Sequence, residues 1–305
     1  AMMKKFIYIT LLTITLSSTL INKVFAANYY ILTDIGTSAR TISLGGIEGF
    51  SDSASTVFEN PAGMYRIKNA SASFFTTTIM DEIFYNSVAI ASDTPIGKIG
   101  IGYMEASIYD IPHTGVNSYD RLYAKSYFDF KNYLYKISYA NDLNRNIHLG
   151  ASLVSYSSAF WEVTGRGQDF DFGCIFNHEN FEISFITRNT FSNNVNFNEG
   201  GKESLMARYL LSGKYIYNDF ELYAQISDIE SRKLLSAGVS FKPSLIPFFE
   251  INAGHKEYLV LNNIKKNYTL GVGLNINGIS FYYAYEKSDH FEFDNKNYFS
   301  DNVNL

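Results

Sequence analysis

The chain has 305 residues, a formal net charge of -5, and 24 Tyr and 25 Phe against one Trp, one Cys and five Pro. A single cysteine excludes an internal disulfide and a cysteine metal cluster, and the mild acidity gives nucleic acid no electrostatic footing. No stretch beyond the N-terminus reaches the roughly 18 to 20 consecutive apolar residues of a membrane helix.

The chain opens AMMKKFIYITLLTITLSSTLINKVFAANYY. Lys4 and Lys5, the apolar stretch Phe6 to Leu20 and the small-residue site Val24-Phe25-Ala26 have the layout of a secretory signal peptide. Residues 1–26 are therefore expected to be removed. Residues 27–68 follow, with glycines at 36, 45, 46, 49 and 63, a density that permits tight, irregular backbone. A short helix is expected around Ser53 to Glu59, capped by Ser51 or Asp52. Pro61 has no N–H to give a ladder, so Asn60-Pro61-Ala62-Gly63 is expected to turn the chain into its first strand.

From Asn69 onward the dominant signal is period-two alternation, the mark of strands with one apolar face. In Asn267 to Asn277, Tyr268, Leu270, Val272, Leu274 and Ile276 share a face opposite Asn267, Thr269, Gly271, Gly273 and Asn275. In Gln168 to Phe176, Phe170, Phe172, Cys174 and Phe176 oppose Asp169, Asp171 and Gly173. About 14 such segments can be counted, with 12 as the alternative, each about 9 to 12 residues, the length of a tilted membrane strand. Several connectors, near 108–121, 160–166, 191–203, 257–265 and 288–291, read as longer loops, and those between read as tight turns, the asymmetry of outer-membrane barrels. The polar faces carry Gly, Ser, Asn and acids, as a wet lumen would. The expected fold is all-β: a transmembrane antiparallel β-barrel over 69–305. Residues 27–68 are expected to fold into its lumen as a plug, or hatch, since irregular backbone at membrane depth needs protein or water around it. The expected location is the outer membrane of a Gram-negative-type cell, in contact with its lipids and inserted by the barrel-assembly machinery.

The order ARTISLGGIEGFSDSASTVFENPAGM resembles the N-terminal signature of the FadL-like outer-membrane family, especially its PorV-like branch. The matching residues are Ala39-Arg40, Leu44-Gly45-Gly46, the run Ser51 to Ser55, and Asn60-Pro61-Ala62-Gly63. The resemblance implies a barrel of 14 strands closed by an N-terminal hatch, with the Asn-Pro-Ala motif at the junction of hatch and wall. It also implies passive passage of hydrophobic ligands past that hatch or sideways through the wall. Asn60, Pro61, Ala62, Gly63, Gly45 and Gly46 then form the gating motif. Ile42, Leu44, Val57 and Phe58 are the plug residues expected to line an apolar ligand pocket. Leu305 stands where such barrels often end in Phe, and Asp301 sits awkwardly in the last strand.

Catalytic patterns are weak. The histidines 113, 148, 178, 255 and 290 show no His-x-His or His-x-x-x-His spacing, so no metal site is expected. His148 could face Ser152, but a serine hydrolase needs a converging third group and nothing singles out a nucleophile. Asp169 and Asp171 share a strand face and are expected to hydrate the lumen or bond Arg208 or Lys214. No cofactor is implied. The expected function is passive uptake of hydrophobic small molecules, fatty-acid-like in kind. The alternative is an accessory barrel of protein secretion that binds exported proteins, with a structural barrel or ordinary porin behind both.

Overall fold

In the computed structural model, residues 35–79, 81–117, 119–229, 231–260, 263–288 and 296–305 are described; the expected signal peptide, residues 27–34 of the expected hatch, and residues 289–291 of the last expected loop lie outside them. Strands β1 (Ala70–Ile79), β2 (Ile83–Thr94), β3 (Gly97–Val116), β4 (Leu122–Asp142), β5 (Ile147–Phe160), β6 (Val163–His178) and β7 (Phe181–Arg188) form one half of the wall. After the short β8 (Asn194–Phe197) and β9 (Lys202–Ser204), the other half is β10 (Arg208–Tyr217), β11 (Phe220–Ile229), β12 (Arg232–Phe241), β13 (Phe249–Val260), β14 (Asn263–Ile276), β15 (Ile279–Ser288) and β16 (Lys296–Asn304). Each strand pairs antiparallel with its neighbours and β1 pairs with β16, so the sheet closes into a barrel of 14 strands. Closure removes the free edges that an open sheet exposes.

Alternation decides which side faces where. Tyr268, Leu270, Val272, Leu274 and Ile276 are exposed on the outside, while Asn267 and Thr269 are buried within. The same holds for Phe170, Phe172 and Phe176 outside against Asp169 and Asp171 inside. The result is a continuous outer band of Leu, Ile, Val, Phe and Tyr. In water this would be a very large uncovered apolar patch; hydrocarbon is the solvent that fits it.

Three of the connectors expected to be loops are largely strand. β3 and β4 keep pairing beyond their neighbours, from Ile111↔Phe128 to Val116↔Leu122 with register shifts after Ile108 and His113. The turn between β5 and β6 is only Trp161 and Glu162, because Phe160 already pairs with Val163. β13 and β14 likewise pair as far as Val260↔Asn263. In each case aromatic and β-branched residues extend the ladder where a loop was expected.

One part of the wall is broken. β7 stops at Arg188, and Asn189 and Ser192 then adopt positive φ. β8 resumes along β6 with Gly165↔Phe197 and Arg166↔Asn196, a register offset from the Phe172↔Thr187 pairing of β7. The lost ladder bonds are replaced by carboxylates of β6. Asp171 accepts from Asn189 N at 2.9 Å, and Asp169 from Phe191 N at 3.0 Å and Asn193 N at 2.8 Å. This corrects the expectation that the two acids hydrate the lumen or bond Arg208 or Lys214. Buried amides at a strand break need acceptors, and these side chains are the acceptors within reach.

Residues 35–68 lie inside the ring, and the wall is smooth where they touch it. A Cβ on Gly150 of β5 would overlap backbone atoms of Pro61 and Ala62, and one on Gly173 of β6 would overlap the Asn60 side chain. Gly238, Gly254 and Gly271 on β12 to β14 likewise lie against Ser43, Leu44 and Gly45. The lumen glycines that suggested a wet pore are a bed for packed protein. Gly150→Ala is expected to cost about 1–3 kcal/mol by overpacking against immovable backbone, whereas Gly213→Ala, whose Cβ would meet nothing within 4 Å, is expected to be neutral. The temperature at which the folded band is lost in semi-native gel electrophoresis distinguishes the two.

Candidate functional site

The interior segment is built from three short elements. Helix α1 (Ala39–Ser43) is capped by Ser38, whose hydroxyl accepts from Thr41 N. Helix α2 spans only Thr56–Glu59, and no side chain caps it at Ser55. The longer helix expected from Ser53 does not form, because the Ser51, Ser53 and Ser55 hydroxyls bond one another at 2.6–3.4 Å rather than open amides. A 3-10 helix (Pro61–Arg66) follows, capped by Asn60, whose Oδ1 accepts from Ala62 N at 3.0 Å.

The Asn-Pro-Ala-Gly stretch is thus both a turn and an anchor. Asn60 Nδ2 donates to Ser184 Oγ of β7 at 2.8 Å, so one fully buried amide caps the 3-10 helix and ties it to the wall. Pro61 occupies the first helical position, where its missing N–H costs nothing. Gly63 sits where a side chain would overlap Thr56. At the other end of the segment, Gly45 has φ +78 and packs on the His255 carbonyl, and its N–H donates to Thr269 Oγ1 at 3.1 Å. Gly46, with φ +70, lies within ordinary contact distance of the Lys256 side chain.

Charged side chains from the wall grip the segment through its backbone. Lys136 Nζ of β4 donates to the Phe58 carbonyl at 3.1 Å and to Asp171 Oδ2 at 2.5 Å. Arg188, the last residue of β7, donates to the carbonyls of Phe58 and Glu59 at 3.0 and 3.2 Å and pairs with Glu48. On the far side Arg40 reaches from α1 to Glu250 at 2.8 Å and Glu221 at 3.2 Å. Arg66 pairs with Glu182, which Lys214 also meets at 2.7 Å. These cations were not evident as site residues in the sequence. For Lys136, Arg188 and Lys214 the only signal was a charge on the polar face of a strand, which is equally the signal of a solvated lumen.

Above the segment, toward the β11–β12 and β13–β14 turns, is a cavity of about 240 Å³. Its floor includes Ile42, Gly45, Gly46, Glu48 and Phe58, and its walls combine Met104, Leu134, Leu210 and Leu234 with Lys256, Glu286 and Lys296. Of the four expected pocket residues, Ile42 and Phe58 reach this space. Val57 packs instead against Gly100 and Gly102 of β3, and Leu44 joins Ile47, Phe50 and Tyr223 in a separate cluster. His148 does face inward, but its ring stacks on Tyr65 at 3.6 Å and its Nδ1 meets Asp142 at 2.5 Å. Ser152 pairs with Ser138, so His148 and Ser152 do not form a nucleophile and base.

Residues 162–300 match the family model of the type IX secretion system membrane protein PorP/SprF. No curated protein matches the chain. Among solved structures, the toluene transporter TodX of Pseudomonas putida is similar over 88% of this chain and 99% of its own, at 10% identity and a TM-score of 0.61. A FadL homologue of Pseudomonas aeruginosa covers 88% and 98% at 10% identity with a TM-score of 0.56. The toluene transporter TbuX of Ralstonia pickettii covers 90% and 100% at 10% identity with a TM-score of 0.55. The fold is therefore shared with transporter barrels over nearly their whole length.

Lys136 and Asp171 are both 2% exposed in their side chains. Lys136→Met leaves Asp171 without its cation and the Phe58 carbonyl without a donor, which is expected to cost about 3–5 kcal/mol. The unfolding midpoint of the purified barrel in denaturant checks it.

Proposed function

We propose that the chain is an outer-membrane barrel for passive uptake of hydrophobic small molecules, fatty-acid-like in kind, with residues 27–68 acting as a hatch. The observation that carries this reading is the cavity whose floor is the interior segment itself. A ligand arriving from the outer end would leave water for the Ile42, Phe58, Met104, Leu134 and Leu210 surface, gaining about 0.8 kcal/mol per buried methylene. Its polar end would meet the charged side at Lys256 and Glu286. The space exceeds the roughly 150 Å³ apolar cavity that accommodates benzene. Release would follow a shift of the segment about Asn60 to Gly63, where the chain passes from lumen to wall. The transport of toluene named for two of the similar barrels supports the same class of cargo. No nucleotide, metal or cofactor enters this scheme.

A second reading is favoured by the match of residues 162–300 to the PorP/SprF family: an accessory of protein secretion, PorV-like, whose partners are exported proteins. The two readings separate on small-molecule binding. The purified barrel is expected to bind a fluorescent long-chain fatty acid, and Ile42→Trp, which fills the cavity floor, to weaken that binding about tenfold, or about 1.4 kcal/mol. Uptake of the same probe by a Gram-negative host without its own fatty-acid barrels is expected to rise with the wild-type chain and rise further with Asn60→Ala. Absence of both binding and uptake would remove this reading in favour of the secretion role.

A further inference from the structure

Glu59 is 1% exposed and closes α2 just before the Asn60 anchor. Its carboxylate accepts from Thr41 Oγ1 of α1 at 2.8 Å, from Gly49 N at 3.4 Å and from Ser55 Oγ at 3.4 Å. One carboxyl group therefore joins α1, the loop after it and α2. All three donors are neutral. The charged groups around it are otherwise committed: Arg188 of β7 to Glu48 and two carbonyls, and Arg66 of the 3-10 helix to Glu182 and the carbonyls of Gly49 and Ser51. Lys136 of β4 is held by Asp171, and Arg40 of α1 by Glu250 and Glu221. Glu48 adds a second negative charge nearby, and Asp52 lies exposed next to Ser51. The hydroxyl of Ser51 contacts that of Ser55 at 2.6 Å, and Ser55 contacts Glu59. This gives protons a hydroxyl-lined way in from the end where Asp52 meets solvent.

We infer that Glu59 is a protonation-controlled latch: neutral, it leaves the three pieces of the interior segment packed, and ionised in a buried site whose three donors are all neutral, it loosens them. The inference deepens the hatch reading and rests on it for its role in uptake. Burial first, and the charge of Glu48 second, push the Glu59 carboxyl up to about 7. An acid raised in the folded state binds its proton more tightly there than when exposed. The stability it contributes is complete below about pH 4.5, declines as the pH rises, and is fully lost above about pH 7. The hatch is thus tighter in acid and looser in mild alkali.

The test is hydrogen exchange of residues 39–60 in the detergent-purified barrel, comparing wild type with Glu59→Gln at each pH, so that the intrinsic pH dependence of exchange cancels. Between about pH 5.5 and pH 8 the ratio of wild-type to variant exchange is expected to rise on the order of tenfold. Thr41→Val, which removes a donor that favours the carboxylate, is expected to move the transition to higher pH. A ratio that stays flat, in a Glu59→Gln barrel with the wild-type gel mobility, overturns the latch. If Glu59→Gln does not fold, a Thr41→Val transition at the wild-type pH overturns it equally. Uptake of the fatty-acid probe at both pH values is measured alongside. Uptake without pH dependence sinks the latch and leaves the hatch reading standing, whereas a pH-dependent ratio without uptake keeps the latch and removes that reading.

Discussion

A ring of fourteen strands encloses more room than its own inward side chains fill, since a ring of about eight is already the size at which they can. Everything inside this barrel follows from how that excess room is occupied. Residues 35–68 occupy it, with 0–3% exposure at Ile42, Leu44, Val57, Phe58 and Ala62, and the wall is shaped to receive them. Glycines stand where backbone meets backbone, and cations stand where carbonyls at the ends of short helices have no partner of their own. The segment is too short and irregular to hold itself together, so its order is borrowed from the sheet around it.

That borrowing explains the unusual density of buried charge. α2 is a single turn and cannot satisfy its last carbonyls internally. Lys136 and Arg188 do so, and each carries a carboxylate, Asp171 and Glu48, that offsets the burial of its charge. The same Asp171 also takes the Asn189 amide at the wall break. The interior segment and the broken strand are therefore parts of one polar network, and a change in either is felt by the other.

Much of this was legible in the sequence. Tyr268 to Ile276 announced its faces because a strand that divides lipid from lumen must alternate, and Pro61 marked a turn because no ladder accepts it. What escaped detection depended on partners distant in the chain. Asp169 and Asp171 read as hydrated because nothing local tells that Asn189, Phe191 and Asn193 lack ladder partners. Gly173 read as lumen-facing and hence wet, since a glycine looks the same beside water or beside a packed Asn60 and Pro61. Leu44 and Val57 were apolar like Ile42 and Phe58, and only the packing of each short helix decides which of them face wall or cavity. The turn at Asn60 to Gly63 was foretold by its residue types, but not that Asn60 caps a 3-10 helix there.

The interrupted stretch of β7 bears on the mechanics of the ring. A closed antiparallel sheet resists widening as a hoop does, through every interstrand bond at once. Here the hoop is spliced: over residues 189–193 the tension passes through two aspartate side chains and one backbone bond, from Thr190 N to the Phe170 carbonyl at 2.9 Å, rather than through a continuous ladder. Side-chain links rotate where ladders cannot, so compliance is concentrated at this seam while the rest of the circumference stays stiff. Strain applied from inside would be spent there first, beside Arg188, the residue that also holds the interior segment in place.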